Sequence, residues 1–134
     1  MEEIHKIAGI AIKDNAFLMV RKVGKDIWTS LGGKPEGNES EKETLLREIE
    51  GEIHCSAEII KKIGDFKTKA VFDDAILRLS VYLVELKGEV RLDDPELEEC
   101  RFIPKNYKEL GIKLPDSVEN HIVSALVKEG VLKG

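Results

Sequence analysis

Residues 32–55, GGKPEGNESEKETLLREIEGEIHC, carry the strongest pattern in this chain of 134 residues. The segment opens with turn-forming residues and then has the signals of a helix. Ser40 is a favourable N-cap, and Glu43 three residues later completes a capping box. The apolar residues that follow recur at helical spacing and form one stripe: Leu45, Leu46, Ile49 and Ile53.

Two carboxylates share one side of this predicted helix. Glu48 and Glu52 are separated by about 40° around the helix axis, beside the apolar stripe, whereas Glu50 points to the opposite side. Carboxylates at this spacing repel each other unless a cation lies between them. Mg²⁺ and Mn²⁺ take oxygen ligands from carboxylates and substrate phosphates, and backbone oxygens of Gly32 and Gly33 lie close in sequence. The pattern predicts a divalent-metal site for a phosphorylated ligand; the alternative is an exposed Glu-rich helix, since 26 of 134 residues are acidic.

The rest of the chain alternates between strand and helix patterns. Residues 4–12 and 16–21 predict two strands joined by a turn at residues 13–15. Residues 31–38 contain many breakers and predict an irregular loop. Three further strands and a final amphipathic helix are predicted at residues 57–67, 75–86, 99–103 and 117–129. This order predicts α/β/α layers around a mixed sheet.

Composition excludes several classes of protein. The 42% of hydrophobic and 35% of charged residues are typical of one folded domain, which we assign to residues 1–134. No apolar run approaches the length of a membrane span, and no signal peptide is recognisable. The net charge of −5 disfavours binding to duplex nucleic acid. Cys55 and Cys100 form no disulfide framework or metal-binding pair, so a reducing, cytoplasmic location is expected.

The segment resembles the Nudix box, Gly-x5-Glu-x7-Arg-Glu-U-x-Glu-Glu-x-Gly-U, in which U is a bulky aliphatic residue. The matching residues are Gly33, Glu39, Arg47, Glu48, Ile49 and Glu52. The resemblance implies the Nudix α/β/α sandwich with a central mixed β-sheet, and a hydrolase that uses Mg²⁺ or Mn²⁺ to cleave a diphosphate linkage. The short chain is most similar to MutT-like pyrophosphohydrolases, which convert a nucleoside triphosphate to a monophosphate and pyrophosphate.

The resemblance also implies roles for the residues at the metal. Glu52 is expected to be a metal ligand, and Glu48 a ligand that also orients or activates water. Gly32 or Gly33 is expected to contribute a carbonyl oxygen. One of Glu96 and Glu99 resembles the additional glutamate that some members bring to the metal from outside the box, and we assign Glu96 to the metal. An exposed acidic loop is an equal alternative for each.

Other implied roles lie around the glycine loop. Arg47 resembles a clamp between helix and loop that reaches Glu39. The basic residues that border the loop could bind phosphates or simply increase solubility; they are Arg21, Lys22 and Lys34. Trp28 could stack on a base, but the core or the pocket wall is the favoured place for it.

Two positions depart from the box. Gly51 stands where the first glutamate of the Glu-Glu pair is expected, on the metal-facing side, and His54 replaces the late glycine. Histidine tolerates a left-handed conformation better than most residues, so a turn can still end the helix there. The departures leave open a reduced but active site, or a catalytically impaired nucleotide-binding or regulatory protein with the same fold. A third alternative is an unrelated acidic domain with a chance match.

The resemblance also implies the class of substrate and the kind of partner. A small-molecule nucleotide is expected, with neither duplex nucleic acid nor membrane, and homodimers are common in the family. Residues 69–72 carry neither the proline nor the tyrosine that marks some subtypes. The asparagine that reads the base in bacterial MutT has its nearest counterpart around residues 119–120.

Overall fold

The computed structural model describes residues 2–69, 74–92 and 94–133. Its strands are β1 (Glu2–Lys13), β2 (Ala16–Lys22), β3 (Trp28–Thr29), β4 (Leu31–Gly33), β5 (Ser56–Lys69), β6 (Ala75–Lys87) and β7 (Leu97–Pro104). Helix α1 spans Glu41–Ile53, and a π-helical turn, Ser117–Ile122, continues directly into α2, Val123–Lys128.

The strands form a mixed sheet with β1 at its centre. β1 pairs in parallel with β6 and antiparallel with both β2 and β4. β5 lies antiparallel beside β6, whereas β3 and β7 both pair with β2. The mixed sheet predicted from the element order is therefore confirmed.

Helices cover both faces of this sheet. On one face, three residues of the predicted stripe of α1 are fully buried, Leu45, Ile49 and Ile53, whereas Leu46 is 39% exposed and lies outside the core. On the other face, Val118, Ile122 and Leu126 pack against the sheet. Strand β6 serves both layers because successive side chains of a strand point to opposite faces. Its members on the α2 side are Leu77, Leu79 and Val81, and those on the α1 side are Tyr82 and Val84.

The first turn and the ends of α1 form as predicted. Lys13 pairs with Ala16, and the two intervening residues have positive φ, as a two-residue hairpin turn requires. The backbone N–H of Glu43 donates to Ser40 Oγ at 3.1 Å, and the N–H of Ser40 donates to Glu43 Oε1 at 2.9 Å. His54 ends the helix in the left-handed conformation, with a φ of 50°.

Two local predictions need correction. Residues 31–33 are not irregular, because they pair with Ile7–Gly9 as strand β4. Gly32 makes this pairing possible: a Cβ on it would lie 1.8 Å from the carbonyl oxygen of Ile7. The last helix also begins with a wider π-helical turn rather than as a regular α-helix.

Candidate active site

A cleft of about 250 Å³ lies among β1, β4, β6, α1 and the π-helical turn. The structure brings together in it most of the site residues expected from the sequence. Those that line it are Lys22, Gly32, Gly33, Lys34, Glu48, Glu52 and Glu96. Residues far apart in the chain therefore meet at one surface that carries both carboxylates and lysines.

Glu52 is a partly buried carboxyl group at the wall of this cleft. Its Oε1 accepts the backbone N–H of Gly32 at 2.9 Å, so α1 is tied directly to β4. Burial, joined by the negative charges of Glu48 and Asp94, raises the pKa of Glu52 to about 8, against the opposing effects of the Gly32 N–H and Lys22. The carboxylate form thus lacks enough positive charge around it.

Glu48 lies one helical turn before Glu52 and packs against Gly33. A Cβ added to Gly33 would lie 2.5 Å from the carboxyl carbon of Glu48, so only glycine leaves room for this carboxylate. Glu48 Oε1 also accepts a hydrogen bond from Nη1 of Arg47 at 2.7 Å. Its side chain retains 25% of its maximal exposure. Both helical carboxylates are consequently held by β4 at the cleft.

Arg47 clamps the helix to the preceding loop. Its Nε and Nη2 donate to the two carboxylate oxygens of Glu39 at 2.7 and 3.0 Å, and Nη2 also donates to the carbonyl oxygen of Lys34 at 3.1 Å. The guanidinium holds the pKa of Glu39 at about 2. The contact with Glu48 was missed by sequence reasoning, because the adjacent position in the helix gave no reason to expect it. Arg47 therefore orders the loop and one carboxylate of the cleft together.

Arg47→Lys is expected to lower turnover about tenfold, since one ammonium cannot reproduce the fork that spans Glu39, Glu48 and a carbonyl. The contribution of Glu39 to stability is present above its unfolded pKa of 4.5 and is lost as pH falls towards 2. Unfolding followed from pH 5 to pH 2 should accordingly show a shallower loss of stability in the variant. Arg91→Lys, at an exposed position, is the matched control. Wild-type turnover in Arg47→Lys would contradict a positioning role for the clamp.

Acidic residues after β6 also line the cleft. Glu96 lines the cleft, as does Asp94, which the sequence analysis did not single out. Asp94 Oδ1 accepts the backbone N–H of Glu96 at 2.9 Å, which fixes the turn. Its only signal in the sequence was its place in the same acidic loop.

Three other candidates lie elsewhere among the described residues. Arg21 does not line the cleft; its guanidinium donates to Glu98 at 2.9 Å and to Glu99 at 2.6 Å. Glu99 is thereby engaged away from the expected metal. Trp28 is 5% exposed in the core, with the guanidinium carbons of Arg21 and Arg101 at 5.7 and 5.4 Å from its ring centroid. This arrangement agrees with the favoured structural place for Trp28.

The positions expected to distinguish substrate subtypes are residues 69–72 and 119–120. Of residues 69–72, only Lys69, the last residue of β5, is described; residues 70–72 lie outside the described residues. Asn120 lies exposed on the π-helical turn and donates a hydrogen bond to Asp116 at 2.5 Å. It does not line the cleft.

The residues present fit a Mg²⁺ or Mn²⁺ ion. Within residues 2–69, 74–92 and 94–133, no three Asp, Glu, His or Cys side chains form a ready metal-binding group. Mg²⁺, however, is commonly held by one or two carboxylates together with substrate phosphates and water. The raised pKa of Glu52 indicates a carboxyl group that a nearby cation would stabilise in its charged form. Glu48 and Glu52 satisfy this requirement for two carboxylates.

Gly51 stands at an exposed position of α1 where a Cβ would meet no other atom within 4 Å. Gly51→Glu should therefore cause no clash. Removing the helical glycine gains up to about 1 kcal/mol, while added charge repulsion offsets this gain without metal. We expect an unchanged melting temperature in EDTA and a larger rise with millimolar Mg²⁺ than in wild type.

Gly51→Ala is the matched control for this substitution, because it gains helix propensity without charge. It should melt higher with and without Mg²⁺. Weaker nucleotide binding by Gly51→Glu at every Mg²⁺ concentration would instead indicate that a ligand or another chain covers this part of the helix.

Comparison with known proteins gives a family match and a set of similar structures. The model of the NUDIX domain matches residues 3–119. No curated protein sequence matches the chain. None of the described helices is long and apolar enough to cross a membrane.

Several solved structures share the fold. The E. coli ORF135 protein has a TM-score of 0.76 and 19% identity, covering 100% of this chain and 96% of that one. A MutT protein from Methanosarcina mazei Go1 has a TM-score of 0.78 and 19% identity, and the match covers 96% of each chain. A UDP-X diphosphatase has a TM-score of 0.81 and 19% identity, and the match covers 98% of this chain but 65% of that one. At these identities the likeness establishes the fold, and it confirms the predicted α/β/α sandwich.

Proposed function

The chain belongs to the NUDIX family, and we propose on this premise that it is a divalent-metal-dependent hydrolase that cleaves a diphosphate linkage in a nucleotide. A nucleoside triphosphate, cleaved to a monophosphate and pyrophosphate, is the favoured substrate. The observation that carries the proposal is the partly buried Glu52, bound to the Gly32 N–H beside Glu48 in a cleft with Lys22 and Lys34. Solved relatives of the same fold include a MutT protein and an ADP-ribose pyrophosphatase.

Glu48 and Glu52 would hold the ion, with a carbonyl oxygen of Gly32 or Gly33 and the carboxylate of Glu96 as further donors. A bound Mg²⁺ or Mn²⁺ supplies charge neutralisation on the diphosphate oxygens and makes water more acidic. Glu48, oriented by Arg47, is the candidate to accept a proton from the attacking water.

The lysines at the cleft have a complementary role. Lys22 and Lys34 are exposed at its rim, where ammonium groups attract phosphate oxygens as point charges. They partly offset the acidic side chains that line the cleft within the described residues, namely Glu48, Glu52, Asp94 and Glu96. A bound divalent cation would offset the remainder.

A screen of nucleoside triphosphates, nucleotide sugars and dinucleotides for phosphate or pyrophosphate release tests this function. We expect at least one compound to be hydrolysed with Mg²⁺ or Mn²⁺, and EDTA to abolish the reaction. Turnover that persists in EDTA would contradict metal dependence. Absence of turnover across the panel would contradict the enzymatic proposal.

A nucleotide-binding or regulatory protein with impaired catalysis is the second candidate. Gly51 favours it, because the position opens to solvent with no carboxylate where the family pattern has one. Binding titrations with the same compounds separate the candidates: tight binding without turnover would support the regulatory function. A cytoplasmic location and a homodimer remain predictions.

A further inference from the structure

A polar network lies under the first turn of α1, at the end of the helix distant from Glu52. Its centre is the carboxylate of Glu41, the first residue of the helix. Glu41 Oε1 accepts hydrogen bonds from the Tyr82 hydroxyl at 2.6 Å and from Lys62 Nζ at 3.2 Å. Ser80 Oγ lies 3.2 Å from Glu41 Oε2. Tyr82 and Ser80 are buried residues of β6, and Lys62 belongs to β5, so one carboxylate attaches the start of α1 to two strands.

Glu41 lies on the same side of α1 as the two carboxylates of the cleft. At 100° per residue, Glu48 and Glu52 lie about 20° on either side of Glu41, two and three turns further along the helix. A rotation of α1 that separates Glu41 from Tyr82 would therefore turn Glu48 and Glu52 through the same angle. At about 6 Å from the helix axis, a rotation of roughly 10° displaces a group by about 1 Å.

The other contacts of α1 fix this rotation less closely. The aliphatic residues of α1 are held by apolar contact, which is non-directional. Arg47 joins the helix to the preceding loop rather than to the sheet. The bond from the Gly32 N–H to Glu52 is directional, but a metal ion at Glu52 would compete for the same carboxylate. The hydrogen bonds to Glu41 are directional and distant from the ion, so they continue to orient the helix when the ion is bound.

On the basis of the function proposed above, we propose that Glu41 is a positioning residue for the hydrolysis. Through α1, its hydrogen bonds to β5 and β6 hold Glu48 and Glu52 in the orientation that the metal and the attacking water require. A displacement of about 1 Å caused by a change far from the chemistry can lower a rate by about a hundredfold. Contacts outside the cleft thus control the chemistry inside it.

Glu41→Ala removes the carboxylate and should leave the protein folded. Lys62 keeps the carboxylate of Asp65 at 3.1 Å, and Ser80 keeps the same carboxylate at 2.8 Å. The main loss therefore falls on the Tyr82 hydroxyl. Glu41→Gln is the matched variant, because it keeps an oxygen that accepts from this hydroxyl while it loses the same charge at the start of the helix.

Hydrogen exchange of the Gly32 amide reports the position of Glu52 without metal or substrate, because this amide donates to Glu52 Oε1. The Trp28 amide donates to the carbonyl oxygen of Lys113 at 2.9 Å and is the internal reference. In EDTA, Glu41→Ala should raise the ratio of the Gly32 to the Trp28 exchange rate about fivefold, and Glu41→Gln should keep it within about twofold. A general loss of stability would raise both rates together and leave their ratio unchanged.

Turnover gives the second measurement. Glu41→Ala should lower kcat about tenfold and change KM by less than about threefold, whereas Glu41→Gln should retain most of the activity. Lys42→Ala, at the adjacent exposed position, is the control and should change neither kcat nor the exchange ratio.

The two measurements separate this inference from the proposed hydrolysis. A raised exchange ratio in Glu41→Ala would support the positioning of Glu52 even if no compound were hydrolysed. An unchanged ratio, or an equal change in Lys42→Ala, would overturn the inference even if hydrolysis were confirmed. Wild-type kcat in Glu41→Ala on a hydrolysed compound would also overturn it.

Discussion

Glu52→Gln is expected to lower turnover by at least tenfold and, at the same time, to stabilise the metal-free protein at high pH. The glutamine keeps an oxygen that can accept the Gly32 N–H, and so preserves the contact between α1 and β4. It removes a charge that burial and two neighbouring carboxylates disfavour. Activity and stability should therefore change in opposite directions.

The pH dependence of this effect follows from the pKa of Glu52. The folded pKa of about 8 exceeds the unfolded value of 4.5, so the folded protein retains a proton that the unfolded chain releases. The contribution of this proton to the free energy of unfolding is fully present below pH 4.5 and is lost as pH rises through 8. Its loss lowers the free energy of unfolding by a few kcal/mol, with an upper bound of roughly 5. Wild type and variant should melt alike at pH 4.5, and Glu52→Gln should melt higher at pH 9.

Thermal unfolding in EDTA at the two pH values, combined with turnover in Mg²⁺, provides the measurement. Glu50→Gln is the control: it removes an exposed charge on the other side of the same helix and should change neither property. Mg²⁺ should raise the melting temperature of wild type more than that of Glu52→Gln. Wild-type turnover in Glu52→Gln would remove Glu52 from the metal site.

Substituting alanine for each of the two glycines of β4 is expected to have different effects: Gly32→Ala should impair folding, and Gly33→Ala should impair turnover. Gly32→Ala should prevent stable folding, because its φ of 132° is unfavourable for alanine and its Cβ would overlap the Ile7 carbonyl oxygen. A loss above about 4 kcal/mol is comparable to the whole stability of many domains. Gly33→Ala should fold, since the atoms nearest the new Cβ belong to the flexible end of Glu48, but displacing that carboxylate should lower turnover at least tenfold.

Gly88→Ala is the matched control for the first substitution. Gly88 has a similar φ of 123°, but a Cβ there would meet no atom within 4 Å. It should cost only backbone strain, about 1–3 kcal/mol. Denaturant unfolding compares the three variants. Equal stability of Gly32→Ala and Gly88→Ala would show that β4 can move away from β1, and wild-type turnover in Gly33→Ala would contradict the role of Glu48.

The predictable parts of this site are those encoded by neighbours in sequence. The capping pair Ser40 and Glu43 and the one-turn spacing of Glu48 and Glu52 depend on helix geometry alone, and helix geometry is local. The family resemblance added the link between Arg47 and Glu39, which also lies within one short segment.

The rest depends on contacts between distant segments. The ion pair of Arg21 with Glu99 removes a candidate phosphate ligand, and it arises only when β2 pairs with β7. Asp94 reaches the cleft from the loop between β6 and β7, with no local pattern to single it out. Residues 31–33 are predicted as loop because glycine has a low propensity for strands. In the structure they pair with β1, and Gly32 can approach the backbone of β1 this closely because glycine has no side chain.

The parallel pairing of β1 with β6 also constrains the order of folding. It joins Glu2 to Ala75 at one end and Ala11 to Val84 at the other, so it closes one of the longest loops in the chain. Closing such a loop costs chain entropy before any contact compensates, and pairings of this kind fold slowly. During synthesis, the N-terminal hairpin and α1 leave the ribosome before β6 exists. The cleft therefore cannot assemble until the chain has been made at least to Val118, so Glu48 and Glu52 meet Asp94 and Glu96 only after translation has passed the whole box.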